Sequence, residues 1–411
     1  MKVTIIGAGA AGCFCAVELK RRLHEADVLL LERHTRPMAK LAITGGGRCN
    51  LTNSFQHVTD LSQVYPRGWR LMQRLFHDFC HTDTIRWWET EGIRLVEQPD
   101  DCIFPQSQDA GEVVRCLMRN ITRLGITLRT ESKVTSIVPT ADGRYRVETE
   151  DDSILTDHVV ITTGGSPRPS GLSFLDALAL KTVQPVPSLF ALNIDDHALH
   201  SLTGTVVPHC RIAIAGTRLS AEGDLLITHF GMSGPAILRL SSYAARHLAE
   251  HEYRATLIVN WMLGHDENQV RSELRDFALT GKSVANLRPL HLTSRHWSML
   301  LQRANISLTQ RWNSLNTKES NRLIATLTAD TYHTLGRRTH KEEFVTCGGV
   351  ALSELNPSTL ALKHHPHVHL AGEVLDIDGI TSGFNLQAAW TMGHTVAKAI
   401  ANNSNFLSPT E

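Results

Sequence analysis

The sequence predicts an α/β protein in which one domain opens the chain and is completed by its last segments. Two observations predict this class. The chain begins with a strand, a glycine-rich turn and a helix, and a strand, loop and helix pattern returns at 369–401. Between these ends the pattern becomes β-rich at about 188–262 and helical at about 264–330, so we expect inserted regions. A length of 411 residues is enough for two or three packed units.

The composition indicates a globular, soluble protein. Hydrophobic residues make up 42% of the chain and charged residues 20%. Lys+Arg and Asp+Glu both number 41, so bulk electrostatics favours neither nucleic acid nor an anionic membrane. No segment approaches the roughly 18–20 continuous apolar residues that span a bilayer. The first strand begins at about Lys2, which leaves no room for a signal peptide, so we expect a cytoplasmic protein.

Cysteines and histidines show no pattern typical of a metal site. The eight cysteines are scattered without a CxxC pair, so reduced thiols are the simplest interpretation. Four of the 22 histidines cluster at His364, His365, His367 and His369. Metal binding by this run is one interpretation. Alternation at the end of a strand or loop is the favoured one, and we predict no metal site.

The first βα unit carries a dinucleotide-binding fingerprint. The strand Lys2–Ile6 leads into Gly7-Ala-Gly9-Ala10-Ala11-Gly12 and then into a helix through about Leu23. The next apolar run, Val28–Leu31, ends in Glu32, which lies 20 residues beyond Gly12. Strand, turn, helix, second strand and acidic residue therefore all occur at the spacing of a Rossmann-like unit.

Each residue of this fingerprint has a physical role. Gly7 permits the tight turn, Gly9 lets backbone approach a pyrophosphate, and Gly12 allows close packing of helix and strand. The helix N-terminus offers free N–H groups to phosphates. Glu32 is placed to accept hydrogen bonds from ribose hydroxyls, and an acidic residue here disfavours a 2′-phosphate and hence NADP. This unit alone leaves FAD and NAD open.

Three later segments favour FAD. Thr44-Gly45-Gly46-Gly47-Arg48-Cys49-Asn50 predicts a loop in which backbone passes close to a flat or anionic ligand. A buried strand at 157–162 ends in Thr163-Gly164-Gly165, after a β-meander predicted from Ile126–Thr130, 133–139 and 144–149. A second helix start is predicted near Phe384–Gln387, where N–H groups would stabilise negative charge on a reduced flavin ring.

The chain resembles the BaiN/aminoacetone-oxidase-type NAD(P)/FAD-dependent oxidoreductases, a branch of the glutathione-reductase-like FAD fold. The resemblance rests on GAGAAG, TGGGRCNLTN, THFGMSGPAIL, TCGGVALSEL and AGEVLDIDGITSGFNLQAAW, which span nearly the whole chain. The common family pattern has tyrosine where this chain has Phe384. The resemblance implies a β-barrel-like and a small helical domain inserted into the FAD domain. The expected bounds are 1–190 and 346–411 for the FAD domain, 191–263 and 331–345 for the β-rich domain, and 264–330 for the helical domain.

The patterns and the resemblance together predict the residues that contact FAD. These are Gly7, Gly9, Ala10, Ala11, Gly12, Glu32, Arg33, Lys40, Thr44, Gly45, Gly47, Arg48, Cys49, Asn50, Val134, Thr163, Gly164, Gly165, Gly372, Glu373, Asp376, Gly383, Phe384, Asn385, Leu386 and Gln387. The amides of Asn385 and Gln387 are expected to donate to the flavin ring.

A catalytic side chain is not obligatory, because flavin N5 carries the hydride. Three candidates stay open. Cys49 is either a reactive thiol or a small packed residue. Arg48 could hold a flavin carbonyl, a phosphate or an anionic substrate, and His229 is either a general acid or base or a domain-interface histidine.

We therefore predict an FAD-dependent oxidoreductase with an unidentified small-molecule substrate. The resemblance implies oxidation of a small amine or aminoketone, or reduction of a C=C bond. The alternative is a dihydrouridine synthase acting on large-subunit rRNA, for which basic and aromatic residues at Tyr65–Arg70 and Arg337–Lys341 could touch RNA. A non-catalytic flavin sensor is a further class. NADH or NADPH would serve as a transient electron donor, since a second GxGxxG unit is missing. The oligomeric state is not predicted.

Overall fold

The computed structural model describes residues 1–166, 168–338 and 345–405. The chain divides into two compact units, Met1–Val186 with Val345–Glu411, and Pro187–Phe344. The first unit is thus interrupted by the second. The expected separation of a helical domain at 264–330 from the β-rich domain stays a prediction.

The strands are numbered in chain order. They are β1 Lys2–Ile6, β2 Asp27–Leu31, β3 Thr52–Asn53, β4 Leu95–Glu97, β5 Cys102–Pro105, β6 Thr127–Arg129, β7 Val134–Pro139, β8 Tyr145–Thr149, β9 Ser153–Thr156, β10 His158–Ile161, β11 Thr182–Ser188, β12 Leu192–Ile194, β13 Val206–Ile214, β14 Ser220–Thr228, β15 Gly231–Ser233, β16 Thr256–Asn260, β17 Asp330–Arg337, β18 Val345–Val350 and β19 Val368–Leu370.

The α-helices are numbered in the same way. They are α1 Ala10–Arg22, α2 Ala39–Gly47, α3 Trp69–Leu75, α4 His81–Thr90, α5 Ala110–Arg123, α6 His197–His200, α7 Pro235–Tyr243, α8 Ala245–Glu250, α9 Glu267–Ala278, α10 Ser294–Arg303, α11 Thr317–Thr328 and α12 Phe384–Asn405.

A five-stranded parallel sheet forms the centre of the first unit, in the order β19-β10-β1-β2-β6. Its three inner strands are almost continuously buried, as their Val, Ile and Leu content predicts. Helix α1 follows β1 and packs against α12 from the far end of the chain. The carboxyl ends of the parallel strands therefore share one edge, where ligands bind in folds of this kind.

Two predicted elements differ from the structure. The segment Ile126–Thr130 forms β6 of the parallel sheet, and the antiparallel meander consists of β7, β8 and β9 instead. The pattern at 71–91 predicts one helix, but the structure has two, α3 and α4. The second helix restarts because Cys80 caps it, with the Asp83 carboxylate accepting a hydrogen bond from the Cys80 N–H at 2.9 Å.

The second unit contains a closed barrel in the order β12-β15-β14-β13-β16-β17. The barrel and helices α9 to α11 share one apolar core, which includes Trp261 and Trp297. Pro235 occupies the first turn of α7, as predicted for a proline that starts a helix. Among the described residues, no helix combines the length and hydropathy required to cross a bilayer.

A histidine cluster lies where β10 pairs with β19 in the first unit. The rings of His158 and His367 are 4.6 Å apart between centroids, and those of His158 and His369 are 6.0 Å apart. His369 is fully buried, and its Nδ1 lies 3.1 Å from the Thr359 carbonyl oxygen, while its Nε2 has no partner in the described chain. Burial lowers the pKa of His369 to about 4 and that of His158 to about 3.

Candidate functional site

Four neighbouring strand ends form the floor of the candidate site. Gly7 follows β1 and Glu32 follows β2, while 162–165 follow β10 and 371–373 follow β19. Hydrogen bonds lock adjacent ends together: the Gly7 N–H donates to the Leu31 carbonyl at 2.8 Å, and the Ala371 N–H donates to the Ile161 carbonyl at 3.0 Å. Most of the glycine positions predicted from the sequence therefore meet at one edge of the sheet.

The first glycine turn has the geometry that the fingerprint predicts. Gly7 has a φ of +104°, and a Cβ there would lie 2.6 Å from the Thr162 carbonyl oxygen. A Cβ on Gly12 would overlap the Gly7 carbonyl. No atom lies within 4 Å of a Cβ built on Gly9, which caps α1 without a side-chain hydrogen bond. Thus Gly7 and Gly12 are required for packing, whereas Gly9 leaves space for a ligand at the helix start.

Glu32 holds the turn that it borders. One carboxylate oxygen accepts from the Ala8 N–H at 3.0 Å, and the other accepts from the His34 N–H at 2.9 Å. Its neighbour Arg33 is exposed and donates to His34 Nε2 at 3.0 Å. The half-buried carboxylate keeps lone pairs for ribose hydroxyls, since each oxygen accepts more than one hydrogen bond.

The loops after β10 and β19 pack against each other through glycines. A Cβ on Gly165 would lie 2.6 Å from the Thr346 hydroxyl oxygen. The Glu373 carboxylate accepts from the Thr346 N–H at 2.6 Å, which ties this loop to β18. Gly372 has a φ of +84°, and its Cβ would lie 3.3 Å from the Ala11 methyl group. Backbone is thereby brought close to the first turn of α1.

The segment predicted as a glycine-rich loop, Thr44–Asn50, overlaps the end of α2 but leaves helical geometry at Thr44, Gly45 and Gly46. Lys40 and Thr44 lie in α2, which the structure breaks at Thr44, Gly45 and Gly46. Gly45, Gly46 and Gly47 all have φ between +58° and +83°, and a Cβ on Gly46 or Gly47 would meet no atom within 4 Å. The segment turns sharply here because three glycines in succession accept the left-handed conformation. It presents open backbone that a flat ligand can approach.

Arg48 and Cys49 follow this turn with different environments. Arg48 is exposed, its Nε donates to the Gly45 carbonyl at 3.1 Å, and its guanidinium lies 4.4 Å from the Phe104 ring centroid. Cys49 is fully buried, and burial raises the pKa of its thiol to about 12. The structure thus supports the packed-residue interpretation of Cys49, while the exposed Arg48 guanidinium is accessible to an anionic group.

The start of α12 is fixed by braces on both sides. Ser382 and Gly383 have φ of +84° and +87°, and a Cβ on Gly383 would lie 2.5 Å from the Thr52 carbonyl oxygen. The Asn50 side-chain amide bonds to two backbone groups, since its nitrogen donates to the Thr52 carbonyl and its oxygen accepts from the Gly383 N–H at 3.2 Å. The Asn385 side chain both accepts from the Gly379 N–H and donates to the Gly379 carbonyl, each at 2.8 Å.

Because these hydrogen bonds occupy the side chains around the helix start, the backbone N–H groups of the first turn of α12 are the groups left to bind a ligand. The Gln387 side chain is fully buried between the hydroxyl groups of Thr52, at 2.6 Å, and Thr391, at 3.0 Å. The expected donation of the Asn385 and Gln387 amides to flavin stays a prediction. The N–H groups of Phe384, Asn385 and Leu386 have no intrahelical acceptor, as at any helix start, and can bind negative charge.

A buried ion pair that the sequence did not indicate supports this helix start. Arg67 binds the Asp378 carboxylate with two nitrogens, the Nε–Oδ1 distance being 2.6 Å, and Asp378 is 1% exposed. Tyr65 donates to the Phe384 carbonyl at 2.9 Å. The predicted contact of 65–70 with RNA is therefore wrong for Arg67, which instead fixes the loop preceding α12. No local signal could have found a pair separated by 311 positions.

The remaining predicted residues lie as follows. Val134 is half-buried at the first position of β7, and Asp376 is half-buried with its N–H donating to the Val350 carbonyl at 2.9 Å. His229 lies in the second unit beside Phe230, with ring centroids 5.0 Å apart, and its catalytic role stays a prediction. Arg338 lies over the Phe230 ring at 4.9 Å. Thr339, His340 and Lys341 of the predicted RNA contact lie outside the described residues.

The residues of the first unit fit an adenine dinucleotide that carries a flavin. An open helix start at Gly9 suits the pyrophosphate, Glu32 suits a ribose, and the α12 N-terminus suits an electron-rich ring. The open backbone at Gly46 and Gly47 leaves room for a planar group. An NAD site would explain the first two features but would leave the second helix start, at α12, without a role.

The chain matches the HI0933-like protein Rossmann domain over residues 1–399. The 3-dehydro-bile acid delta(4,6)-reductase of Clostridium scindens is 26% identical over 97% of this chain and 99% of its own. The ribosomal RNA dihydrouridine synthase of Escherichia coli is 28% identical over 96% of each chain. In fold, the chain is similar to 3-ketosteroid-delta4-(5alpha)-dehydrogenase from Rhodococcus jostii, with a TM-score of 0.52, 14% identity and coverage of 97% and 96%. The predicted Rossmann-like fold is confirmed, and this chain belongs to the HI0933-like family as an FAD-dependent oxidoreductase.

Proposed function

We propose that this enzyme reduces a C=C bond conjugated to a carbonyl group. The names of the two relatives support this chemistry, since one reduces an unsaturated bile acid and the other converts uridine to dihydrouridine. Both reactions add two hydrogens across a carbon–carbon double bond that is conjugated to a carbonyl group. Oxidation of an amine or aminoketone stays a prediction of the family resemblance alone.

The single observation that carries the proposal is the braced start of α12. Hydride donation to an electron-poor carbon requires an electron-rich reduced ring, and fixed N–H dipoles stabilise that charge without reorganising. The N–H groups of Phe384, Asn385 and Leu386 are held by the Asn385 brace and by the Arg67–Asp378 pair. We assign these groups to the pyrimidine end of the flavin.

The other residues of the first unit then bind and orient the cofactor. We assign the pyrophosphate to Gly9 and the first turn of α1, and one ribose to Glu32. The backbone of 45–47, of 163–165 and of 372–373 would hold the ring and its side chain.

FAD, when bound, supplies the hydride at N5. Reduction of an enone or uracil would use that hydride together with one proton, and NADH or NADPH would restore the two electrons to the cofactor.

The test is anaerobic reduction of the purified, FAD-loaded chain with NADPH or NADH, followed by rapid mixing with a 3-oxo steroid containing a conjugated double bond or with a uridine-containing rRNA transcript. We expect the visible flavin absorbance to return as one of these acceptors gains two hydrogens, measured by mass spectrometry. Peroxide formation with aminoacetone as the reductant, and no reoxidation by either acceptor, would refute the proposal.

A further inference from the structure

We propose that residues 279–322 of the second unit form a surface that binds the ribose-phosphate backbone of RNA. The inference rests on the proposed function, because uracil within a large RNA is one of the two acceptors that this chemistry accommodates. It adds a location and a mode of binding, since phosphate contacts position an RNA while the flavin acts on one base.

The charge of this segment is one-sided although the whole chain is neutral. Residues 279–322 contain seven Lys and Arg residues and one acidic residue, Glu319. Glu319 offsets only one of the seven, and its carboxylate accepts from neutral groups, the Asn316 N–H at 2.9 Å and the Gln310 side chain at 3.0 Å. Of the cations, Arg303 is paired with two aspartates. Five others, Lys282, Arg288, Arg295, Arg311 and Lys318, make no ion pair with any described acidic group.

The backbone brings most of these cations together. Ser283 and Arg311 form an antiparallel bridge, in which the Trp312 N–H donates to the Lys282 carbonyl at 3.0 Å. The contact between Gln310 and Glu319 places the first turn of α11, with Lys318, beside the same bridge. We call Lys282, Arg288, Arg311 and Lys318 the basic surface; all four except half-buried Arg288 are exposed.

The basic surface stands on a rigid base. Trp297 donates to the Val284 carbonyl at 2.7 Å, and Trp312 donates to the Leu287 carbonyl at 3.1 Å. The two indole rings are buried and stacked, with centroids 6.0 Å apart. The loop at 282–288 is therefore held in one conformation, so that binding a polyanion costs little ordering of the backbone.

RNA fits this surface better than a lipid bilayer does. Leu279 and Leu290 are 87% and 101% exposed, but they are isolated rather than part of an amphipathic helix face. The segments beside the cations carry exposed amides and hydroxyls, which hydrogen-bond phosphate and ribose. These include Asn286, Gln302, Asn313 and Ser314.

The test uses the full-length, FAD-loaded chain and an unmodified transcript of large-subunit rRNA. Three substitutions, Lys282→Glu, Arg311→Glu and Lys318→Glu, are combined. We expect the affinity for the transcript to fall at least about tenfold, and the slope of log Kobs against log salt to become shallower by about two to three. The rate of flavin reoxidation by a small conjugated enone should be unchanged.

The matched control carries the same change in charge at cations of the first unit, Arg86→Glu, Arg115→Glu and Arg144→Glu. Equal loss of RNA affinity in both triple variants would overturn the inference, as would wild-type binding to phosphatidylserine vesicles without binding to RNA. If the reversal variant does not fold, judged by circular dichroism and FAD content, Lys282→Gln with Lys318→Gln serves, with about two thirds of the slope change expected. A chain that binds RNA through this surface but reduces no C=C bond would refute the proposed function alone.

Discussion

The histidine cluster between β10 and β19 makes the folding stability of the protein fall as the pH falls. Burial, the largest cause, lowers the pKa of His369 to about 4, whereas an imidazole in the unfolded chain titrates near 6.5. The unfolded chain therefore binds more protons than the folded one between these values. Folding stability is fully present above pH 6.5 and is lost as the pH falls toward 4.

The magnitude follows from the two pKa values. At pH 5 protonation of His369 in the unfolded chain alone lowers the free energy of unfolding by about 2 kcal/mol. His158, whose pKa is lowered to about 3 chiefly by burial, adds about 2 kcal/mol more. The sum is a large part of the roughly 5–15 kcal/mol that holds a typical domain folded.

The assay is urea unfolding of the wild-type chain and of His369→Gln at pH 7 and pH 5, with the same excess of FAD. Between the two pH values the variant should lose about 2 kcal/mol less stability than the wild type, because it lacks one titrating group. His24→Gln is the matched control, since His24 is exposed and its removal should leave the wild-type dependence intact. Identical losses in wild type and His369→Gln would refute the reasoning.

Three further predictions concern the cofactor site. Gly9→Val should yield a folded chain that has lost most of its flavin absorbance, because a side chain there would meet no protein atom but would meet a bound pyrophosphate. Ala141→Val, at an exposed turn, is the control. Full flavin content in Gly9→Val would contradict the assignment. Arg67→Ala should lower the free energy of unfolding, measured with heat or urea, by about 3 kcal/mol or more, because it leaves the Asp378 carboxylate buried without the Arg67 cation. An unchanged unfolding curve would show that the pair does not stabilise the start of α12. The Cys49 thiol should resist alkylation by iodoacetamide in the native chain up to pH 9, since burial raises its pKa to about 12. Cys49→Ser should keep the rate of flavin reduction by NADPH. Rapid labelling at neutral pH would restore the reactive-thiol interpretation.

The features of the site that the sequence predicted are those set by local backbone constraints. Gly7 and Gly12 are required because a Cβ would meet the carbonyl of Thr162 or of Gly7, and such requirements appear as glycine at fixed spacing. The pattern at 112–124, with Asp109 as a possible cap, predicts a helix for a similar reason, and α5 begins at Ala110 with the Asp109 carboxylate accepting a hydrogen bond from the Gly111 N–H at 2.8 Å.

The features that the sequence did not predict depend on distant partners or on competing local preferences. The helical turn at Ala39–Ile43 was not predicted, because five residues are too few for a helical period to show in the sequence. The Arg67–Asp378 pair and the Thr52–Gln387 hydrogen bond join residues more than 300 positions apart. Nothing in either local segment specifies the partner, so the packing that fixes the start of α12 becomes visible only in three dimensions.

The interruption of the first unit has a consequence for how the enzyme is made. The chain leaves this unit after β11 and returns in β18, and these two strands pair with each other, so the ends of the insertion are held side by side. The edge strand β19 and helix α12 follow the insertion in the chain, although α12 packs on α1, which precedes it. A nascent chain therefore carries the turn that we assign to the pyrophosphate long before it carries the helix start that we assign to the ring.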